Sequence, residues 1–404
     1  MSFKFNFDID DIDQENDIFE TIRTEKQEEK KGTETVEAFK ELDIEHLVRF
    51  SEYIYSNPTR KTHRFLKKVK LDSLPSQISC SPIQISLSSG KTRAIARRDL
   101  FDARFQLISE GTGVEDTDKI NTPDEKNALT FIDQPSDLVP WVYEGGLKTW
   151  ECSLDLVDHL DKLKGNGELT VEGKRILELG CGTAIPSMYL LNELFHSPLQ
   201  EKATEIHLQD YNASAVELVT FPNAILAWYM SPASDAFRKA QPTPVEGQED
   251  SNTFPPPDPT VATEISITDE LKTAFQSSLR ERHITLRFFS GSWSTFDVDK
   301  TGGKYDIVLT SETVYRMESV PSLIDLLCHA CAGQGGLDSL RIAEDSSCLC
   351  LVAAKVFYFG VGGGIAEFVE AVRHRETSNK APTIETVWEQ NVGVARKILS
   401  LAWS

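Results

Sequence analysis

The second half of the chain alternates short apolar runs with segments whose apolar residues recur at helical spacing. The predicted strands are Arg175–Leu179, Glu205–Gln209, Ile284–Phe289, Tyr305–Thr310 and Cys348–Val356, followed by Thr383–Trp388 and Ala395–Ala402 as an antiparallel edge pair. The predicted helices are Pro186–Leu194, Ala213–Val219, Val320–Cys331 and Glu367–Arg373, with an earlier one over Leu154–Leu160. This order predicts an α/β domain on a mostly parallel sheet of about seven strands.

The first third of the chain has a different pattern. Residues 1–41 open with a Phe-rich motif, M-S-F-K-F-N-F, and continue as an acidic tail that we expect to be largely disordered. Residues 42–134 form an N-terminal accessory region, and residues 135–404 form the α/β domain. Within that domain, the Pro-rich and acidic residues 231–263 predict a mobile surface insertion.

The accessory region gives weaker signals. Apolar residues at helical spacing predict a helix within Leu42–Tyr55, and alternation predicts a strand at Ile83–Leu87. The pattern of Ala94–Ile108 fits either a strand or a helix.

The most informative stretch is R-I-L-E-L-G-C-G-T-A-I-P, residues 175–186, a predicted strand that leads through a glycine turn into a helix. This is the opening unit of a doubly wound nucleotide-binding fold, where glycine lets the backbone approach a ligand. A dehydrogenase fingerprint would need a third glycine at position 185, which is Ile185. The turn of Gly180 and Gly182 therefore does not predict a pyrophosphate cradle, although an ordinary tight turn stays open.

Asp210 closes the second predicted strand, about thirty residues after the glycine turn. An acid at that position of a doubly wound fold can accept hydrogen bonds from both ribose hydroxyls. Because Asp is also a favoured helix N-cap, a capping role is the alternative. We favour the ligand role, since a carboxylate without a phosphate-binding turn suits a nucleoside.

The third and fourth predicted strands also end in polar motifs. F-S-G-S-W ends at Trp293, which could cover the face of an adenine, or else be a core Trp beside a plain turn. T-S-E-T-V-Y follows the fourth strand, where an open sheet presents its ligand. Glu312 and Tyr315 are therefore candidates to hold an acceptor side chain, with a loop acid and a packed Tyr as the alternative.

Two other motifs are given structural roles. Cys328 and Cys331 lie on a predicted helix, and Cys348 and Cys350 lie in a buried strand, so small buried side chains are favoured over a zinc site. No metal ligand is predicted. The glycine-rich G-V-G-G-G over 360–364 lacks the Lys-Ser/Thr of a phosphate loop, and we interpret it as close backbone approach near the acceptor pocket.

Composition restricts the partners. The 404 residues carry a net charge of −21, which disfavours direct binding to nucleic acid and favours a basic protein partner. We expect no membrane association, because charged residues interrupt every apolar run well before the length of a span. Seven unevenly scattered cysteines indicate a reducing compartment, and we expect a monomer in the cytoplasm and nucleus.

Together the motifs resemble the protein-histidine N-methyltransferases, seven-strand enzymes that modify a histidine of a large-subunit ribosomal protein. The resemblance covers residues 135–404 and the opening F-K-F-N-F. It implies a class I, Rossmann-like methyltransferase fold and S-adenosylmethionine as cofactor. The motifs that carry it are E-G-G-L-K-T-W-E at 144–151, L-G-C-G at 179–182, Q-D-Y-N at 209–212, F-S-G-S-W at 289–293, T-S-E-T-V-Y at 310–315 and Y-F-G-V-G-G-G at 358–364.

The family's cofactor contacts can be placed on this chain residue by residue. They fall on Trp150, Glu151, Gly180, Gly182, Gln209, Asp210, Tyr211, Gly291, Trp293 and Ser311. Glu312 is the candidate that fixes the tautomer of the acceptor imidazole, with Tyr315 packing or hydrogen-bonding nearby.

Two alternatives stay open at this stage. Related lysine methyltransferases share the W-E block and an acid-x-x-Tyr motif, which here is Glu312-x-x-Tyr315. A methyltransferase-fold escort of a ribosomal protein is the other alternative. The intact cofactor motif set argues against the escort, because an escort has no need of both Asp210 and Gly182.

Overall fold

The computed structural model describes residues 38–42, 74–112, 138–139, 143–240, 257–332, 348–359, 362–375 and 382–403. Its centre is an eight-stranded sheet in the order β1-β9-β7-β6-β10-β11-β13-β12. These strands are β1 Lys40–Leu42, β6 Arg175–Leu179, β7 Thr204–Asp210, β9 Ile284–Ser290, β10 Ile307–Ser311, β11 Leu349–Lys355, β12 Thr383–Gln390 and β13 Arg396–Ala402.

Five of these strands, β9, β7, β6, β10 and β11, run parallel, and β13 then inserts antiparallel between β11 and β12. Without β1, the sheet has seven strands and ends in an antiparallel hairpin. This order confirms the predicted class I methyltransferase fold. The chain leaves β6 toward β7 on one side, while β10 lies on the other side of β6. The carboxyl end of β6 is therefore the topological switch point, where open α/β sheets bind their ligands.

Helices flank the sheet, and each of the five helices predicted for the α/β domain overlaps an observed one, whereas the helices Asp235–Ala240 and Asp269–Glu281 were not predicted. The observed helices are α1 Leu100–Thr112, α2 Glu151–Gly165, α3 Ile185–His196, α4 Ala213–Ala215, α5 Phe221–Tyr229, α6 Asp235–Ala240, α7 Asp269–Glu281, α8 Val320–Ala332 and α9 Ile365–His374. A π-helical turn, Val216–Thr220, joins α4 to α5. The predicted helix Ala213–Val219 is thus the start of a longer helical segment.

The accessory region contributes a second sheet, in the order β3-β2-β8. Its strands are β2 Gln77–Ser86, β3 Thr92–Arg98 and β8 Thr263–Ser266. The ambiguous stretch Ala94–Ile108 is both a strand and a helix, since β3 ends at Arg98 and α1 begins at Leu100. The short strands β4 Leu138–Val139 and β5 Tyr143–Glu144 pair separately.

The predicted mobile insertion 231–263 carries more structure than expected. Residues 232–240 form a 3₁₀ turn and helix α6, and Thr263 begins β8, which pairs with β2. The sequence missed this because a four-residue strand between polar segments has no periodicity to detect. Residues 241–256 lie outside the described residues, as do the predicted helix beyond Leu42 and the acidic tail before residue 38.

Strand β1 is also absent from the prediction. It lies at the junction assigned to the acidic tail and pairs antiparallel with β9, with Leu42 opposite Phe288. Phe39 stacks on Phe289 at 5.3 Å between ring centroids, and Glu41 forms an ion pair with Arg287 at 2.6 Å. These contacts close one edge of the sheet and hold the start of the described chain against the third predicted strand.

In the described residues, a large apolar cluster lies on each face of the sheet, and a third, smaller one contains Ala103, Leu107, Leu147, Leu218 and Val219. Because successive strand residues point to opposite faces, Ile176 joins one apolar cluster and Leu177 the other. Cys350 is buried in the second cluster and Cys331 and Cys348 pack against it, as expected for small apolar side chains. None of the helices in the described ranges has the length and apolar character needed to cross a bilayer.

Candidate active site

A cleft lies at the switch point, where the carboxyl ends of β6, β7 and β10 meet the β5–α2 loop. The loops after these strands form its walls, so the residues come from motifs far apart in sequence. Its lining residues are Gly145, Gly146, Lys148, Trp150, Ser153, Gly180, Cys181, Gly182, Thr183, Asp210, Tyr211, Ser292, Trp293, Ser311, Glu312, Thr313, Tyr315, Arg316, Ser319 and Tyr358. Nine of the twelve predicted site residues are in this lining.

The glycine turn after β6 forms the floor of the cleft. Gly180 and Gly182 have φ angles of 60° and 48°, in the left-handed region that favours glycine. A Cβ atom on Gly180 would lie 2.5 Å from Thr313 Cγ2, and one on Gly182 would lie 2.9 Å from the carbonyl oxygen of Gly146. Both positions therefore require glycine for conformation and for space, which leaves a cradle lined by backbone.

Asp210 ends β7 beside this turn. Its Oδ2 accepts a hydrogen bond from the Gly182 amide at 2.9 Å, and its Oδ1 accepts one from the Asn212 amide at 3.0 Å. These are local backbone contacts and not the alternative capping role, since the N-cap of α4 is Asn212, and the carboxylate also lines the cleft. Since a carboxylate offers about four acceptor positions, these backbone contacts are compatible with ligand binding.

Gln209 supports the cofactor side from beneath. The side chain is fully buried, and its amide donates to the Gly291 carbonyl at 2.7 Å. Its Oε1 accepts from the Trp293 indole at 2.9 Å and from the Gly180 amide at 3.3 Å. Gln209 therefore lies beneath the cleft wall and does not line it. Its side chain fixes Trp293 and Gly180 relative to each other.

Gly291 and Glu151 are the other two predicted contacts outside the lining. The Gly291 amide donates to the Asp210 carbonyl at 3.0 Å, and a Cβ there would lie 2.7 Å from the Ala38 carbonyl. This glycine accommodates the chain leading into β1. Glu151 begins α2 and pairs with Lys355, with 3.2 Å between Oε2 and Nζ. A sequence motif cannot separate residues that line a site from those that hold its walls.

Glu312 lies just beyond β10, on the other side of β6 from Asp210. Its φ of 57° is in the left-handed region, which is unfavourable for a residue with a Cβ. The Glu312 amide donates to the Ala353 carbonyl at 2.9 Å, which anchors the turn to β11. The sheet therefore holds this backbone in a strained conformation that directs the acid at the switch point.

Both carboxylate oxygens of Glu312 have protein donors. Oε1 accepts from the Cys152 amide at 3.3 Å, and Oε2 accepts from the Tyr358 hydroxyl at 2.6 Å. Tyr315 lines the same wall, with its ring 6.1 Å from that of Tyr358 in an edge-to-face arrangement. Gly363 packs behind them, since a Cβ there would lie 2.7 Å from the Tyr315 carbonyl. The predicted close approach of the glycine-rich loop is thus seen for its described residues.

Burial and charge act in opposite directions on this acid. Burial raises the pKa of Glu312, while Lys355 and the donors from Cys152 and Tyr358 lower it, and the net pKa is raised. Burial also acts to lower the pKa of Lys355, but the charges of Glu312 and Glu151 outweigh it and the net pKa is raised. The ammonium and the acid are therefore electrostatically coupled.

Sequence reasoning missed Tyr358 and Lys355 as parts of this site. Tyr358 opens the Y-F-G-V-G-G-G motif, so its position was noted but not its role. Lys355 ends the apolar run L-C-L-V-A-A-K. A lone charge that ends a central strand at the ligand-binding edge is the signal that could have identified it.

The residues present fit S-adenosylmethionine. The cradle of Gly146, Gly180 and Gly182 leaves room at the switch point that any Cβ would reduce. Asp210 places carboxylate oxygens in the cleft that can accept from hydroxyl groups, and the rings of Tyr211 and Trp293 line the same cleft. The lining includes Lys148 and Arg316, but the turn after β6 has Ile185 where a pyrophosphate cradle has its third glycine, which agrees with a nucleoside carrying a sulfonium group.

Comparison with known proteins gives several relatives. No family model matches the chain. Histidine protein methyltransferase 1 of Schizosaccharomyces pombe is 31% identical over 336 residues, which are 80% of this chain and 83% of that protein. The Saccharomyces cerevisiae protein of the same name is 28% identical over 406 residues, covering 99% of this chain and 98% of the relative. A Bos taurus homolog is 31% identical over 290 residues, 70% of this chain and 62% of its own.

Solved structures give a weaker likeness. Magnesium protoporphyrin IX methyltransferase from Synechocystis, with bound SAH, overlaps at a TM-score of 0.32 and 10% identity, covering 74% of this chain and 94% of that one. Ribosomal protein L11 methylase from Lactobacillus delbrueckii overlaps at 0.29 and 11%, covering 64% and 82%. Scores of this size are not evidence for a shared function, so the family assignment rests on sequence. With 31% identity over 83% of the fission yeast protein, the chain belongs to the histidine protein methyltransferase 1 family.

Proposed function

We propose that this chain transfers a methyl group from S-adenosylmethionine to a side-chain nitrogen of histidine in a basic protein of the large ribosomal subunit. The observation that carries the proposal is the position of Glu312. This acid lies at the switch point, across β6 from Asp210, and both of its oxygens are held by protein donors. Membership of a family named for histidine methylation supports the choice of acceptor.

The cofactor half of the cleft binds and orients. Asp210 faces the ribose, and the glycine turn lets the cofactor lie directly on backbone. When bound, S-adenosylmethionine supplies an electrophilic methyl group on a sulfonium, which is already a good leaving group. The protein therefore mainly positions the two reactants. Correct orientation can lower the activation barrier by on the order of 7–11 kcal/mol.

The acceptor half handles the proton and the charge. A neutral imidazole, with an unperturbed pKa of about 6.5, has a free lone pair near neutral pH and needs no base before it reacts. Glu312 accepts the N–H of the other ring nitrogen, which fixes the tautomer. The same carboxylate stabilises the positive charge that develops on the ring. This role needs an ionised acid that keeps a free lone pair, which the two donor contacts leave available.

The same arrangement is less suited to lysine. An ammonium must lose its proton before its nitrogen can react, and a nearby carboxylate stabilises the charged form. Glu312 would therefore oppose deprotonation of a lysine substrate, whereas it favours the methylated, positively charged imidazole. Methyl-lysine is the outcome that would contradict the proposal.

The surface features agree with a protein acceptor. Phe357 and Phe359, here called the rim, are the chain neighbours of the lining residue Tyr358, with exposed fractions of 46% and 72% and an edge-to-face ring contact of 5.1 Å. The net charge of −21 would speed encounter with a Lys/Arg-rich protein. A large-subunit ribosomal protein, or an early assembly form of it, has this chemistry.

The test uses large-subunit proteins stripped from salt-washed ribosomes, incubated with the full chain and labelled cofactor. We expect label in one basic protein, and peptide mapping should place one added methyl on a histidine. Glu312→Gln should lose most of this labelling, and Glu318→Gln, an exposed acid nearby in the same loop, should retain it. Equal labelling by wild type and Glu312→Gln would contradict the role of the acid.

A further inference from the structure

One largely buried charge beside the cleft has no part in the proposed chemistry. Lys355 ends β11, its side chain is 15% exposed, and its Nζ lies 3.2 Å from Glu151 Oε2. The same nitrogen lies 4.7 Å from the ring centroid of Trp150, within cation–π distance. Burying an ammonium costs free energy unless other groups compensate for it. A role for this ammonium beside Trp150 and Glu312 would explain why a charge is kept in a largely buried position.

Lys355 is also linked to Glu312 through the backbone. Its amide donates to the Tyr358 hydroxyl oxygen at 3.3 Å, and the Tyr358 hydroxyl lies 2.6 Å from Glu312 Oε2. Because one side of the Tyr358 oxygen accepts from an amide, its own hydrogen is free to point at the acid. The end of β11 thus fixes the direction of the donor that holds Glu312.

The groups that act on Glu312 come from three elements. Helix α2 supplies Glu151 and Cys152, the end of β11 supplies Lys355, and the following loop supplies Tyr358. The Lys355 ammonium is paired with Glu151 and its charge also acts on Glu312, while Arg396 is a second cation that acts on Glu151. If that ammonium were removed, burial and the repulsion from Glu151 would both favour a protonated Glu312.

We propose that Lys355 is a positioning residue that keeps Glu312 ionised and aligned. Its ammonium also contacts the ring of Trp150, which is a predicted cofactor contact. The catalytic consequence rests on the proposed function, but the effect on the charge of Glu312 does not. A lysine at this position acts by its charge, so arginine should replace it better than methionine, which has a similar apolar stem.

The experiment titrates Glu312 directly, in the cofactor-free full chain with ¹³C-labelled glutamate carboxyls. The Glu312 resonance is identified by its loss in Glu312→Gln. In Lys355→Met we expect the titration midpoint to rise by about one to two pH units. Lys355→Arg should restore it to within about half a unit. Lys397→Met is the control, since Lys397 pairs with Glu389 at 3.5 Å on the edge hairpin, and it should leave the midpoint unchanged.

A second variant keeps the inference testable if Lys355→Met does not fold. Lys355→Gln removes the same charge but keeps a polar side chain, and it should also raise the Glu312 midpoint. An unchanged midpoint in folded Lys355→Met, or in Lys355→Gln where Lys355→Met does not fold, would overturn the inference. Because this readout needs no substrate, it remains decisive even if histidine methylation is not observed.

With an active enzyme, the same variants make a kinetic prediction. The low-pH limb of kcat should move upward in Lys355→Met by the same one to two units, with the KM for cofactor little changed. At a pH below the shifted midpoint, a one-unit shift lowers kcat by about tenfold. A uniform loss of kcat at all pH values would instead indicate a purely structural role and contradict the inference.

Discussion

The two halves of the cleft are built by different means. The cofactor half, around β6 and β7, depends on backbone: glycines with positive φ, and amides that bond to Asp210 and Gln209. The acceptor half, around β10 and β11, depends on charged and hydroxyl side chains, with Glu312 held by Tyr358 and coupled to Lys355. One half is a shaped surface, and the other is an electrostatic network.

This difference separates binding from chemistry. Changes to the backbone-built half should alter cofactor affinity and leave the charge of the acceptor half intact. Changes to the charged half should lower kcat and leave cofactor affinity intact, because only the developing charge in the transition state uses that network. Each prediction below tests this separation, in order of decreasing size.

The largest effect is expected from Glu312→Gln. The amide keeps the shape of the side chain but removes the negative charge that stabilises the imidazolium. We expect kcat to fall by about 10²–10³, as for the loss of an electrostatic stabiliser in other enzymes, with cofactor Kd within about twofold of wild type. Steady-state kinetics and calorimetry measure the two quantities. A large rise in cofactor Kd would show that the halves are not separate.

Asp210→Ala should do the reverse. Loss of two ribose hydrogen bonds, one charge-assisted, should weaken cofactor binding by about 2–3 kcal/mol. The Gly182 and Asn212 amides also lose their acceptor, so thermal stability should fall as well. Calorimetry at matched fractions of folded protein tests the affinity, and unchanged Kd would contradict the assignment of Asp210.

The pH dependence follows from the raised pKa of Glu312. As pH falls through that pKa the acid is neutralised, so kcat should fall by about tenfold per pH unit below it.

Folding stability shows the opposite pH dependence. A carboxyl whose pKa is raised in the folded state stabilises the fold at low pH, and that contribution is lost as pH rises through the raised pKa. Glu178, whose pKa burial raises to about 7, contributes in the same direction.

A low-pH loss of kcat therefore cannot be explained by these two acids unfolding the chain. Parallel thermal melts and kinetic profiles over the same pH range provide the check. A kcat limb that follows the melting temperature would contradict the assignment.

The smallest effect concerns the rim. Phe359→Ser should raise the KM for the protein acceptor by about fivefold, which corresponds to about 1 kcal/mol of lost apolar contact, with kcat and cofactor Kd unchanged. Leu199→Ser is the matched control, because Leu199 is 67% exposed in the loop before β7, at the opposite edge of the sheet. Equal KM values for the two variants would remove the rim from the acceptor surface.

The central sheet could be predicted because its strands are long apolar runs. Arg175–Leu179 was predicted with the observed bounds, and the others were placed within a few residues. Strands β1 and β8 were missed because each has only three or four residues and gains its stability from a distant partner, β9 or β2. A pairing of that kind depends on tertiary contacts and leaves no periodic pattern.

The site residues also fall into those that the sequence could predict and those that it could not. The glycine turn and Asp210 were identified because their roles depend on local geometry that a motif preserves. The supporting role of Gln209, and the contributions of Tyr358 and Lys355, depend on which side chains meet in three dimensions. The contacts of these residues with cofactor and acceptor remain predictions, which the variants of Asp210, Glu312 and Lys355 test.

The most direct measurement is amino-acid analysis of the protein acceptor after methylation with labelled cofactor. We expect label in methylhistidine, with most of it lost in Glu312→Gln and with labelling retained at saturating cofactor by Asp210→Ala to the extent that this variant folds. Label in methyl-lysine would contradict the central claim, and Glu312 would then be an ammonium-binding group.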